Sequence, residues 1–107
     1  MTARTPGLVV LYRWRIRAGH EDAFVAAWST ITALLRSHRG SLGSRLHRGN
    51  DGLWYGYAQW PDAVHRQRAF ADPVDAEASA RLRAAIAESL PEVVLDPVAD
   101  YLVLPED

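Results

Sequence analysis

Leu8-Val-Val-Leu-Tyr-Arg-Trp-Arg-Ile-Arg17 decides the fold of this chain, because both of its alternating sets of residues carry apolar side chains. Val, Tyr, Trp and Ile favour an extended strand, in which successive side chains point to opposite faces of a sheet. Leu8, Val10, Tyr12, Trp14 and Ile16 then make one wholly apolar or aromatic face, and Val9, Leu11, Arg13, Arg15 and Arg17 the other. Leu53-Trp-Tyr-Gly-Tyr-Ala-Gln-Trp60 repeats the arrangement, with Trp54, Gly56, Ala58 and Trp60 opposite Leu53, Tyr55, Tyr57 and Gln59. A sheet with one face in water alternates to polar residues on that face. Neither strand does so.

Outward from these strands the chain is punctuated clearly. Ala18 and Gly19 break the first strand, and Glu21 and Asp22 supply the acidic first turn favoured at a helix N-terminus. The helix expected from about His20 to His38 carries Phe24, Trp28, Ile31 and Leu35 at helical spacing, and Gly40 stands just past its end. Ser41 to Arg48 alternates as a second strand. Gly49-Asn-Asp-Gly52 turns it into the third, Leu53 to Trp60, as a hairpin. Asp62 caps a short helix running to about Phe70. After Asp72-Pro73, a longer helix is expected from about Asp75, its stripe of Ala78, Leu82, Ile86 and Leu90 stopped by Pro91. A final edge strand is expected within Val93 to Leu104, well paired from Val98 because Pro97 lacks an N–H.

At 107 residues the chain is expected to form one domain spanning 1–107, with its core over about 8–104. The order strand, helix, strand, strand, helix, strand predicts an α+β fold: a ferredoxin-like split β-α-β unit with an antiparallel sheet and its helices on one side. Covering the second apolar face calls for another copy of the chain. A homodimer packed sheet against sheet, as a dimeric α+β barrel, satisfies that need and protects the edge strand.

Composition narrows the function. A formal net charge of −1 gives no basic surface for nucleic acid. With no cysteine, disulfides, thiolate metal sites and a thiol nucleophile are all excluded. Met1 to Gly7 lacks the apolar run of a signal peptide, and nowhere is there an apolar run of membrane-spanning length; a cytoplasmic location without membrane contact is the expectation. No histidine pair has converging metal-ligand spacing, and Gly40 and Gly43 precede a strand rather than a helix, so no metal or nucleotide cofactor is expected.

With these elements placed, the chain resembles the antibiotic biosynthesis monooxygenase family of dimeric α+β barrels. The resemblance runs from about Val9 to Val103. It rests on an apolar strand leading into Gly19, Glu21, Phe24 and Trp28, on Gly40-Ser-Leu-Gly-Ser-Arg-Leu-His-Arg48, and on the aromatic strand ending Ala58-Gln-Trp60 before a helix. It implies oxidation of an electron-rich aromatic (quinol, anthrone or polyketide-like) by O2 without metal or flavin, since the deprotonated substrate itself reduces oxygen. Haem-degrading members use an Asn on the first strand and a His on the second helix; here the only Asn is Asn50, in the hairpin turn, and no His follows His65.

Such chemistry needs a dry, shaped cavity, a hydrogen bond to the developing anion and a proton acceptor. Tyr12, Trp14, Trp28, Tyr55 and Trp60 are the candidate substrate-binding walls, joined by His47; His65, Tyr57 and Arg45 are the candidate catalytic groups. Each has a plainer reading as well: Trp28 as packing, Tyr55 and Tyr57 as inter-subunit contacts, His65 as a solvated surface group. Two other functions fit the same scaffold. One is a non-catalytic dimeric barrel that binds a hydrophobic small molecule, the other an isomerase or cyclase.

Overall fold

β1 (Leu8–Ile16) lies inside a four-stranded sheet, between β3 (Trp54–Trp60) and β4 (Ile86–Leu95), with β2 (Ser44–Arg48) outside β3. Every neighbouring pair is antiparallel. Three helices complete the fold, α1 (Glu21–His38) between β1 and β2, and α2 (Ala63–Ala69) and α3 (Ala76–Ala85) between β3 and β4. This computed structural model describes residues 5–103 and 105. Leu104, the expected end of the last strand, and the ends of the expected domain, 1–4 and 106–107, lie outside the described residues. The element order and the sheet order β2-β3-β1-β4 are those of the expected α+β, ferredoxin-like fold.

Local chemistry sets the helix limits. α1 opens with the carboxylates Glu21 and Asp22 and has the Arg36 cation in its last turn, charges that suit the two ends of its dipole. Past its end Gly40 takes a φ of 79°, a left-handed conformation that lets the Ser41 N–H reach back to the Leu35 carbonyl. Asp62 and Asp75 cap α2 and α3, their carboxylates accepting from the His65 and Ala78 backbone N–H groups at 2.8 and 2.9 Å.

The last third of the chain departs from expectation. α3 stops at Ala85, and Ile86 and Leu90 belong to β4 rather than to the helical stripe. The paired strand therefore begins before Pro91 instead of at Val98, and residues 96–103 carry no secondary structure. The physical reason lies in the pairing with β1. Ile86 stands opposite Ile16 and Val94 opposite Val10, so sheet contacts outweigh an i, i+4 pattern that also fitted a helix. Pro91 is tolerated because β4 is an edge strand and the register shifts there: Leu11 faces Val93 while Arg13 faces Leu90. The Pro91 carbonyl accepts from Arg13 Nη2 at 2.8 Å, which ties the bulge down.

One face of the sheet meets the helices. Leu8, Val10, Ala58 and Trp60 pack with Leu35 and Ala69 in one buried cluster, and Phe24, Trp54 and Ala85 form a second. On the opposite face Val9, Leu11, Tyr55, Tyr57, Val93 and Leu95 share a side, as their cross-strand pairing requires. Val9 is only 3% exposed there, covered in part by the segment from Asp96 to Leu102.

Candidate functional site

The two core clusters do not close completely against each other. Between them, under α1, is a cavity of about 200 Å³. Its walls come from both sides of the seam: Tyr12, Ile31, Leu35, Ala58 and Trp60 from the first cluster, Trp14, Trp28 and Leu82 from the second, with Phe70 at one end. Gly56 forms part of the floor. A Cβ on that residue would lie 2.8 Å from Cη2 of Trp14 and 3.7 Å from Nε1 of Trp28, so the missing side chain is what leaves room for the two indoles. Tyr12 and Trp14 present parallel rings 5.9 Å apart, and Phe70 meets Trp60 edge-on at 5.6 Å.

The walls carry few polar atoms, and one is unpartnered. Trp60 is 1% exposed, and its indole Nε1 is buried without a hydrogen-bond acceptor. A buried N–H left unpaired costs about 1–3 kcal/mol, and the Trp60 ring carries that cost in its present packing, with the N–H closed off from the cavity space. The Thr32 and Ser44 residues also lie on the wall.

Tyr12 and Phe70 have a second neighbour, an open groove lined also by Leu8, Arg66, Glu92 and Val94. Arg66 donates from Nε to the Tyr12 hydroxyl at 3.2 Å and from Nη2 to Glu92 at 2.5 Å. Its guanidinium carbon lies 5.6 Å from the centre of the Tyr12 ring. Burial holds the Tyr12 phenol above its ordinary pKa, with the contact to Arg66 pulling the other way. For Arg66, burial works against the cation, but the hydrogen bonds to Glu92 and Tyr12 outweigh it and keep its pKa above the usual value.

Of the residues singled out in the sequence, Tyr12, Trp14, Trp28 and Trp60 come together around the cavity. The other five stand elsewhere. Tyr55 and Tyr57 lie on the far side of the sheet, and their cross-strand partners are His47 and Arg45 respectively, which puts all four on that face. Tyr55 donates its hydroxyl proton to Asp51 of the hairpin turn. His65 sits at the surface with Nδ1 2.8 Å from Asp62, whose carboxyl is held below its usual pKa first by the His65 backbone N–H and then by its ring. Arg66, one residue on, was not singled out; its helical phase, with Ala69 and Phe70 three and four residues later, was the available signal that it faces the sheet.

An α+β sandwich with a ferredoxin-like sheet and a small aromatic-walled cavity between sheet and helices defines the class. Residues 7–73 match the family model of antibiotic biosynthesis monooxygenases, and the chain belongs to that family. Its fold is similar to that of SnoaB, a cofactor-independent oxygenase from Streptomyces nogalater, with a TM-score of 0.71 at 21% identity over 95% of this chain and 100% of that one. It is similar also to Rv0793 from Mycobacterium tuberculosis, with a TM-score of 0.73 at 16% identity over 92% and 100% of the two chains. A conserved protein from Methanosarcina mazei Go1 shares the fold with a TM-score of 0.71 at 9% identity, over 83% and 90%. Among curated proteins none matches the chain.

Proposed function

We propose that this protein is a monooxygenase that oxidises an electron-rich aromatic of quinol, anthrone or related polyketide type with O2, using no bound cofactor and working as a homodimer. The observation that carries the reading is the orphaned Trp60 N–H beside an apolar cavity walled by Trp14, Trp28 and Tyr12. Kinship with the family and the likeness to a cofactor-independent oxygenase support it.

The chemistry asks little of the protein. Loss of a proton from the substrate gives an enolate or phenolate, which passes electrons to O2; carbon and oxygen then join as a peroxide. Loss of water from that peroxide leaves a new carbonyl, so one oxygen atom enters the product and the other departs as water. A small turn of the Trp60 ring brings its unpartnered Nε1 to the substrate oxygen as negative charge develops there, and the indole walls exclude water that would otherwise compete for that charge. The wall holds no carboxylate or imidazole among the described residues, so the substrate gives up this proton to water as it enters and binds as its anion. His65, Tyr57 and Arg45 stand outside the cavity, and this scheme gives them no contact with a substrate bound there.

Oxygen uptake with a panel of hydroquinones and anthrones tests the proposal. Consumption of one O2 per substrate, with a quinone product, is the expected result. A folded protein inert across the panel contradicts it. The cavity wall carries no carboxylate or imidazole among the described residues, an observation that favours simple binding as the second reading. In that case the same aromatics bind saturably and no oxygen is used. An isomerase or cyclase would form its product under argon.

The homodimer rests on the far face of the sheet. Leu11, Tyr55, Tyr57, Val93 and Leu95 present apolar surface there, and Tyr101, Leu102 and Val103 extend beyond it largely uncovered. A contiguous apolar surface of this kind marks an interaction site, and a second copy of the chain is the partner proposed for it.

A further inference from the structure

The inner cavity is uncharged, yet it shares two wall residues, Tyr12 and Phe70, with a groove that holds a cation. Arg66 is fixed from two sides. Its Nε donates to the Tyr12 hydroxyl at 3.2 Å, and its Nη2 donates to Glu92 at 2.5 Å. The guanidinium side chain is 23% exposed and the Glu92 carboxylate 41%, so the pair lies at the rim of the protein rather than within it. Glu92 is on the bulged part of an edge strand, where Pro91 and Glu92 together fill the gap between the residues paired to Leu11 and Arg13. Partly exposed ion pairs of this kind contribute ~0–1 kcal/mol, so the Glu92 carboxylate is readily exchanged for another.

We infer that the ligand of this cavity is a one- or two-ring aromatic bearing a carboxylate, with its ring between the indoles and its carboxylate on Arg66 in place of Glu92. This rests on the proposed use of the cavity for an aromatic substrate and adds the acidic arm. The volume of about 200 Å³ is below the ~300–1,000 Å³ usual for ligand pockets, which suits a small ring system and directs any substituent outward past Tyr12 and Phe70. The outer groove provides about 770 Å³ for it. A guanidinium presents parallel donors that match a carboxylate, a neutral hydroxyl cannot use them as well, and Arg66 is the one cation on the walls of either space among the described residues.

Isothermal titration with 2-naphthoate and its uncharged isostere 2-naphthamide separates the possibilities, using the wild-type chain, Glu92→Gln and Arg66→Gln. Glu92→Gln removes the competing carboxylate and is expected to raise naphthoate affinity several-fold with little change for naphthamide. Arg66→Gln is expected to weaken naphthoate by about tenfold or more, the effect of losing a hydrogen bond to a charged group, and to weaken naphthamide by a much smaller factor, through the lost contact to Tyr12. Arg66→Lys, which keeps the charge without the fork, is expected to fall between. Equal binding of acid and amide in both the wild type and Glu92→Gln overturns the acidic arm while leaving the aromatic cavity standing. Failure of both compounds to bind any folded variant overturns the cavity reading together with it.

Discussion

Trp60 combines near-complete burial with an unpaired indole N–H, and that combination separates its role in binding from its role in packing. Phe at this position keeps the ring against Phe70 and removes the orphaned donor. The smaller side chain loses some buried surface, but the desolvation penalty of about 1–3 kcal/mol disappears with the N–H. Trp60→Phe should therefore change unfolding free energy in urea by no more than about 1 kcal/mol, since the two effects oppose each other. Turnover should fall by about 10–100-fold, the equivalent of a hydrogen bond to a charged oxygen. A variant as active as the wild type would remove the indole from the mechanism. Tyr12 makes a second prediction, through pH. Its folded-state pKa is raised above the ordinary 10.0 mainly by burial, so the folded protein holds the phenolic proton more tightly than the unfolded chain does. The resulting stabilisation is complete below the unfolded pKa of about 10 and is lost as pH rises through the folded value. Urea midpoints measured from pH 8 to pH 11 should drop at the alkaline end, and the drop should be smaller in Tyr12→Phe.

Local signals fix most of the elements, and tertiary pairing fixes the start of β4. Gly40 ends α1 and the turn Gly49 to Gly52 joins β2 to β3 because each acts through its own backbone, which a sequence displays directly. Ile86 and Leu90 fit both a helical stripe and a strand, and only the presence of β1 alongside decides between them. The site divides in a similar way. Strand parity placed Tyr12, Trp14 and Trp60 on the helix side, where the cavity formed. Arg45, His47 and His65 were selected by residue chemistry, which carries no information about direction; the first two followed Tyr57 and Tyr55 to the other face through the β2–β3 register. Arg66 became visible only when α2 was set against β1 and β4, because its partners Tyr12 and Glu92 are distant in sequence. The short α3 depends on its cap. Its inward side is Ala78, Leu82 and Ala85, with Leu82 the one large side chain and set near the helix's far end, so the Asp75 hydrogen bond to the Ala78 N–H is a large share of what fixes its start. Asp75→Ala should cost about 1 kcal/mol in equilibrium unfolding, and Asp75→Ser, which keeps an acceptor, should restore most of it.

At the scale of the whole molecule, the unresolved balance is between the two sides of the sheet. The helices pack on one side, while Leu11 and Tyr57, directly paired across β1 and β3, stand near the middle of the other. A two-fold partner would bring the same residues of both copies close to one axis, so a single substitution there acts twice in each contact. A carboxylate at this place would lose its water on association and would face its own image at short range. Both effects oppose pairing, and neither disturbs the buried clusters on the helix side. Tyr57→Asp should therefore sediment with the mass of one chain where the wild type sediments with the mass of two. Its far-ultraviolet circular dichroism should remain that of the folded protein. The cavity lies on the opposite side of the sheet from the substitution, so the isolated subunit should still bind a neutral aromatic such as 2-naphthamide, with an affinity lowered only as far as the sheet loosens. A wild-type chain already monomeric at micromolar concentration would mean that the segment from Asp96 to Leu102, which lies beside Val9 and Tyr57, is cover enough for that face.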